Sequence, residues 1–275
     1  MRLISFLHGD GTPSWGRLNG DSVTDLGAHA ADLRGALAGG LNCAELAGPG
    51  LALASLTLLP VIPNPGKILC VGLNYATHVA ETGREQKDHP AIFHRWADSL
   101  VADGAALIHP PETARFDYEG ELAVVIGKGG RRIAAADAWD HVAGFAPFND
   151  GSIRDWQRHN IQFTPGKTWP GTGGFGPALV TRDEVADLAS QRVQTRVNGE
   201  LVQDQPISDL IWDIPAVIAY CSTFTELAPG DVIATGTPGG VGDKRQPPLY
   251  LRPGDTVTVS IGVIGTLTNR VIAET

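Results

Sequence analysis

The chain has 275 residues, 21 basic and 30 acidic, for a formal net charge of −9. That balance excludes a general electrostatic attraction to nucleic acid or an anionic membrane surface, and no apolar run approaches the roughly 20 residues needed to cross a bilayer. Three cysteines, Cys43, Cys70 and Cys221, are odd in number and lack metal-ligand spacing, so a reducing compartment fits and a soluble, cytoplasmic protein is expected.

From the N-terminus, Arg2 to Leu7, Trp15 to Leu18 and Ser22 to Leu26 read as strands, with Asn19-Gly20 marking a tight hairpin. Ala28 to Ala38 is a helix candidate. The proline-rich stretch Pro60-Val61-Ile62-Pro63-Asn64-Pro65-Gly66 then marks a joint. It divides a small, β-rich N-terminal domain (1–60) from a larger domain (66–275).

In the larger part, Ile68 to Val71 is an apolar strand candidate followed by Gly72-Leu73-Asn74-Tyr75-Ala76-Thr77-His78-Val79-Ala80-Glu81-Thr82-Gly83. A short helix starting after Asn74 would put His78 and Glu81, three apart, on one face. Such a carboxylate fixes the imidazole tautomer and raises its basicity, as a general base requires. An isolated H-x-x-E pair reads most simply as an exposed helical pair. His94 and Arg95 close a further strand candidate after Pro90, within reach of a substrate.

Asp117-Tyr118-Glu119-Gly120-Glu121 leads into the apolar run Leu122 to Ile126, a buried strand. Glu119 and Glu121 are two apart, so they share a face, roughly 6.5 Å apart along the chain, and Gly120 leaves the opposite face open for close packing. Asp150 ends the run Ala143 to Phe148 at a strand-to-turn boundary. Three carboxylates gathered without a cation would repel one another and force their pKa values up, and hard oxygens of this kind suit magnesium, manganese or calcium. The plainer alternative is a solvated edge strand with Asp150 as a turn former. Lys167, in Phe163-Thr164-Pro165-Gly166-Lys167-Thr168, is either a solvated loop lysine or a fixed cation facing a developing oxyanion.

Gly171 to Gly176 satisfies G-x-G-x-x-G, but no strand precedes it and a strand-like run rather than a helix follows, which excludes a dinucleotide site. Gly166-Lys167-Thr168 lacks the first glycine of a phosphate loop, since Ile161 stands there. Neither H-E-x-x-H nor G-x-S-x-G occurs. His109, His141 and His159 have no ligand spacing. Beyond these, Arg192 to Gln203 is a hairpin turning at Asn198-Gly199, Trp212 to Ser222 is a helix, and Asp231 to Thr235, Thr256 to Ile261 and Gly265 to Val271 are strands.

Taken in order, Gly72-Leu73-Asn74-Tyr75 with His78 and Glu81, Asp117 to Leu122, Asn149-Asp150 with Arg154-Asp155 and Gln157, Gly166-Lys167, and Thr235 to Gly242 resemble the fumarylacetoacetate hydrolase family over about residues 66 to 272. The resemblance implies an α+β, mostly β protein with a mixed β-roll catalytic domain. It implies Mg2+, or Mn2+ or Ca2+, held by Glu119, Glu121 and Asp150. Lys167 would reach the oxo or enol oxygen of a small 2-oxo acid, and Tyr75, Arg154, Gln157 and Thr237 would contact that substrate. The stretch Gly72 to Gly83 would be a lid carrying the His78 and Glu81 dyad over the metal, and a homodimer is expected. Two departures, Gly151 and the Trp169 to Gly174 loop, are expected to bear on the substrate and not on the metal. The leading expectation is hydrolysis of a C–C bond in an acylpyruvate-like acid. The alternatives are decarboxylation of an oxaloacetate-like 2-oxo diacid, isomerisation or hydration of an unsaturated 2-oxo acid, or a metal-binding scaffold without chemistry.

Overall fold

The computed structural model describes residues 1–83 and 88–275. Its fold is α+β and mostly β, as expected. A large mixed sheet runs in the order Gly50–Ala52, Ser22–Asp25, Pro13–Asn19, Arg2–Leu7, Leu179–Thr181, Val142–Asn149, Gly120–Ile126, Val232–Ala234, Ile68–Gly72 and Ala91–Arg95. The N-terminal strands thus join the same sheet as the motif-bearing strands, through the pairing of Arg2 with Val180. A second sheet, Glu200–Pro206, Arg192–Val197, Thr256–Ile261, Gly265–Ala273 and Leu107–His109, packs against the middle of the first.

The strand Gly120–Ile126 explains why the middle of the sheet reads as an unbroken apolar run. Leu122, Val124 and Ile126 pack with Val193, Val259 and Leu267 of the second sheet. Ala123 and Val125, alternating with them, pack with Phe148, Phe175 and Trp15 on the other side. With both faces covered, every position is buried and the period-two alternation of a half-solvated strand is lost. Hydrophobic area removed from water on both faces, at about 25 cal/mol per Å², makes this strand a rigid mount for the residues at its start.

Helix boundaries differ from expectation for capping reasons. The helix expected over Trp212 to Ser222 spans Ile214–Phe224, because Asp213 takes the N-cap and accepts from the Ala216 amide at 2.8 Å, satisfying a donor the helix start leaves free. It buries Ile214, Val217, Ile218 and Cys221, one stripe at helical spacing. The helix expected over Ala28 to Ala38 is only Leu33–Ala38, started by the Asp32 cap. Both hairpins form: one turns at Asn198-Gly199 as expected, the other at Gly20-Asp21, one residue later than the expected Asn19-Gly20, because Asn19 is paired with Ser22. The segment Gly171 to Gly176 runs into strand Gly173–Phe175 and then strand Leu179–Thr181, with no helix, so the exclusion of a dinucleotide loop stands. No helix among the described residues is long and apolar enough to cross a membrane.

Candidate functional site

The acidic cluster is a product of strand register. Gly120 pairs with Asn149 across two antiparallel strands, so Glu119 and Asp150, one step beyond each, are brought face to face, with the Asp150 amide donating to the Glu119 carbonyl at 2.8 Å. Asn149 Oδ1 accepts from the Glu119 amide at 3.0 Å and closes the ladder. Glu121 joins them by strand periodicity. One carboxylate oxygen from each of Glu119, Glu121 and Asp150 lies within 4.8 Å of the other two, and all three residues are buried, which rules out the solvated-edge alternative.

The three acids are not equally compensated. Lys167 Nζ lies 2.6 Å from both Glu119 Oε2 and Asp150 Oδ2. Arg154 adds a contact of 2.7 Å to Glu119 Oε1, and Arg95 one of 2.7 Å to Asp150 Oδ1. Among the described residues Glu121 has only the Gly236 amide, at 2.9 Å. Burial pushes the Glu119 carboxyl up, but Lys167 and Arg154 outweigh it and hold Glu119 well below the usual range. Burial, then repulsion from Asp150 and Glu119, drives Glu121 well above it. Burial opposes the charge on Lys167, yet Asp150 and Glu119 prevail and hold the ammonium protonated beyond its ordinary range. The cluster is therefore short of positive charge at Glu121. An all-oxygen donor set with one uncompensated carboxylate fits a divalent hard cation, and Glu119, Glu121 and Asp150 are the residues that would hold it.

Above this floor stands the expected dyad. The helix Ala76–Thr82 carries His78 and Glu81, and His78 Nδ1 is 2.7 Å from Glu81 Oε1, which leaves Nε2 as the nitrogen free for proton transfer. The other oxygen of Glu81 accepts from the Gly240 amide at 2.8 Å, and Thr77 Oγ1 accepts from Gly239 at 3.1 Å. The helix is thus docked on the loop after Thr237. A cleft of about 100 Å³ lies between them, lined by His78, Glu119, Glu121, Lys167, Thr237 and Gln157 among others, with Val71, Phe93 and Phe163 as an apolar wall.

Several expected roles change. Tyr75 does not line the cleft: it is fully buried at the start of the helix, and its hydroxyl has no hydrogen-bond partner among the described residues. Arg154 lines the cleft, but its guanidinium is committed to Asp117 at 2.8 Å, to Glu119, and to Gln157 Oε1 at 3.0 Å. It orients acids before it could meet a substrate. Thr237 Oγ1 likewise donates to the Gly120 carbonyl at 2.9 Å, which leaves mainly its backbone to the cleft. His94 is exposed and outside the cleft, whereas its neighbour Arg95 is a buried support for Asp150. The departures at Gly151 and Trp169 to Gly174 lie together behind the acids. A Cβ on Gly151 would stand 2.0 Å from the Thr172 carbonyl oxygen, while Thr172 Oγ1 accepts from Arg95 at 2.9 Å. They shape the support of Asp150, not the cleft wall, contrary to expectation.

Sequence reading passed over Asp117, whose buried carboxylate accepts from the amides of Gly242 at 2.8 Å and Asp243 at 3.0 Å as well as from Arg154. It also passed over Arg158, Asp243 and Lys244 on the cleft rim. Asp117 stood inside a quoted motif; the rim residues carried no local signal.

Residues 67–272 match the family described as fumarylacetoacetate (FAA) hydrolase, C-terminal. The chain belongs to the fumarylacetoacetate hydrolase family. It is 40% identical over 267 residues, 92% of this chain and 85% of the relative, to the mitochondrial oxaloacetate tautomerase FAHD2B of Bos taurus. Among solved structures of the same fold, a fumarylacetoacetate hydrolase from psychrophilic Exiguobacterium antarcticum superposes with a TM-score of 0.88 at 35% identity, over 100% of both chains. Maleylpyruvate hydrolase from Sphingobium sp. SYK-6, in complex with manganese(II) and pyruvate, does so with a TM-score of 0.82 at 27% identity, again over 100% of both. An enzyme of the fumarylacetoacetate hydrolase family is thus established at the level of the family, and its relatives span isomerases and hydrolases.

Proposed function

We propose that this chain is a divalent-metal-dependent enzyme that interconverts the keto and enol forms of a 2-oxo diacid of the oxaloacetate type. The observation that carries the reading is the joint presence, in one cleft, of an acidic cluster short of positive charge at Glu121 and a carboxylate-oriented imidazole at His78. The expected C–C hydrolysis would use the same residues. Similarity favours the oxaloacetate-like diacid of the decarboxylase alternative over the expected acylpyruvate, with tautomerisation as a reaction the sequence reading did not name, since the oxaloacetate tautomerase is 40% identical and the maleylpyruvate hydrolase 27%. Retention of His78, Glu81 and Lys167 speaks against a scaffold, because a structural ion would need only the carboxylates.

A magnesium or manganese ion held by Glu119, Glu121 and Asp150 would supply a Lewis acid for the 2-oxo acid end of the substrate. His78 Nε2 takes the proton from C3 while Glu81 steadies the imidazolium at Nδ1. The electron pair of the broken C–H bond moves into the C2–C3 bond, and the negative charge develops on the 2-oxo oxygen. Lys167, fixed on the cleft floor, places its charge against that oxygen without reorganising. The imidazolium returns the proton to oxygen to give the enol, and the reverse path regenerates the ketone. The apolar wall of Val71, Phe93 and Phe163 keeps water from competing.

The test follows oxaloacetate with the Mg2+- or Mn2+-loaded protein in three channels: decay of enol absorbance, evolution of carbon dioxide, and incorporation of labelled water into a new carboxylate. Accelerated enol decay alone is expected; carbon dioxide release would support the decarboxylase alternative, and labelled product from an acylpyruvate would restore hydrolysis. Glu119→Ala or Asp150→Ala should lose metal and activity together. The homodimer and the cytoplasmic setting belong to the same proposal. The three free, buried cysteines suit a reducing compartment, and analytical ultracentrifugation tests the dimer.

A further inference from the structure

The rim of the cleft carries a charge arrangement that the proton transfer does not use. The Asp243 side chain is only 5% exposed, yet it stands between two partly exposed cations. Its Oδ2 is bonded to Arg158, and Tyr250 donates to Oδ1 at 2.8 Å. Lys244 Nζ is held only at 3.8 Å from the same Oδ2, beyond hydrogen-bond length. Among the described residues, Lys244 Nζ therefore has no hydrogen-bond acceptor, although Lys244, Arg158 and Asp243 all line the cleft. Asp243 anchors the pair of cations but, already saturated by Arg158 and Tyr250, does not satisfy the second.

This rim is wired to the acidic floor. The Asp117 carboxylate accepts from the Gly242 amide at Oδ1 and from both the Asp243 amide and Arg154 Nε at Oδ2, and Arg154 in turn holds Glu119. The loop bearing Lys244 consequently keeps a fixed place relative to the residues that would bind the 2-oxo acid end.

We propose that Lys244, steered by Asp243 beside Arg158, is the station for the distal carboxylate of a 2-oxo diacid, and so selects dicarboxylic over monocarboxylic substrates. This rests on the reading of the site as one for 2-oxo acids. An ammonium lacking an acceptor gains a charge-assisted hydrogen bond from the second carboxylate of a diacid and nothing from a methyl group in its place. Bonds of that kind suffice for a discrimination on the order of tenfold or more.

The experiment compares the Mg2+-loaded wild type, Lys244→Met and Lys244→Arg in two measurements. The first is calorimetric binding of two unreactive 2-hydroxy acids, malate with a distal carboxylate and lactate without one. The second is KM for oxaloacetate. We expect the wild type to prefer malate, Lys244→Met to reduce that preference by roughly tenfold and raise KM, and Lys244→Arg to recover most of both. A wild type indifferent between malate and lactate, or a Lys244→Met variant with the preference intact, overturns the proposal. If the preference behaves as expected while oxaloacetate is not turned over, the station stands and the proposed reaction fails.

Discussion

Arg95 holds Asp150 from behind: its Nη1 donates to Asp150 Oδ1 at 2.7 Å, and both side chains are fully buried. The same guanidinium reaches the Gly151 carbonyl at 2.7 Å, Ser99 Oγ at 3.2 Å and Thr172 Oγ1 at 2.9 Å. Asp150 thereby has its direction set before any ion arrives. Breaking such a buried pair costs roughly 3–5 kcal/mol, and losing an outer partner of a metal ligand weakens metal affinity by about 10–100-fold. Arg95→Met is expected to lower Tm and to weaken Mn2+ binding. Arg95→Lys, which keeps the charge but not the fork, should recover part of the stability and little of the affinity. Mn2+ titration of both variants decides it, and wild-type affinity in Arg95→Met would show that Asp150 needs no support.

His78 and Glu81 give a graded prediction. His78→Ala removes the base and should reduce turnover by about 10²–10⁴-fold while sparing metal binding, since the residues that would hold the ion are Glu119, Glu121 and Asp150. Glu81→Gln keeps an acceptor for His78 Nδ1 and for the Gly240 amide but loses the charge that stabilises the imidazolium, so a smaller loss is expected. Steady-state rates with parallel calorimetric Mg2+ titration separate the two effects. A His78→Ala protein that turns over at near wild-type rate would remove the dyad from the mechanism.

The legible parts of this molecule were those in which chemistry and backbone geometry coincide over a few residues. Glu119 and Glu121 share a face because strand side chains alternate, and His78 reaches Glu81 because helical residues three apart are neighbours. Asp150 was found because a turn residue ends an apolar run. What stayed hidden depends on contacts distant in the chain. Arg95 meets Asp150 across 55 positions, and Asp117 meets the 242–243 amides across 125 and 126. No periodicity announces either. Tyr75 was misplaced for the opposite reason: it sits inside a functional stretch, yet its own burial directs it away from the cleft.

Glu121 should make the metal-free protein less stable as pH rises. Burial and the neighbouring Asp150 and Glu119 raise its pKa well above 4.5 in the fold, so folding favours its protonated form. By linkage, that contribution is complete below the unfolded value and is lost as pH climbs through the raised folded value. For a chain of this size each 1 kcal/mol lost lowers Tm by about 2–4 °C. Metal-free Tm is therefore expected to fall as pH rises from the ordinary carboxyl value, 4.5, through the raised value in the fold, and Glu121→Gln should flatten the slope. Saturating Mg2+ should flatten it too, because the ion takes the place of the proton. Thermal melts across pH, with and without chelator, measure this directly, and a metal-free Tm that rises over that interval in the wild type but not in Glu121→Gln would contradict the assignment.

Gly120 separates the two metal-site glutamates because the second sheet crosses immediately beneath it. A Cβ there would lie 2.0 Å from Thr195 Oγ1 and 3.3 Å from Thr195 Cβ, and Gly120 also donates its amide to Gln203 Oε1 at 3.0 Å. The strand cannot slide away without losing that bond and the pairing of Gly120 with Asn149 that brings Glu119 and Asp150 together. Overpacking of this kind costs typically about 1–3 kcal/mol, so Gly120→Ala should lower Tm and weaken Mn2+ binding together. Thr195 Oγ1 is buried without a hydrogen-bond partner among the described residues, so Thr195→Ala removes an unsatisfied group and should be near neutral. The pair Gly120→Ala with Thr195→Ala removes the 2.0 Å clash and keeps the 3.3 Å approach. It should therefore regain most, not all, of the lost stability and metal affinity. Strict additivity in that double-mutant cycle would mean that the two residues do not meet, and that the spacing of Glu119 and Glu121 is set by something other than the sheet beneath them.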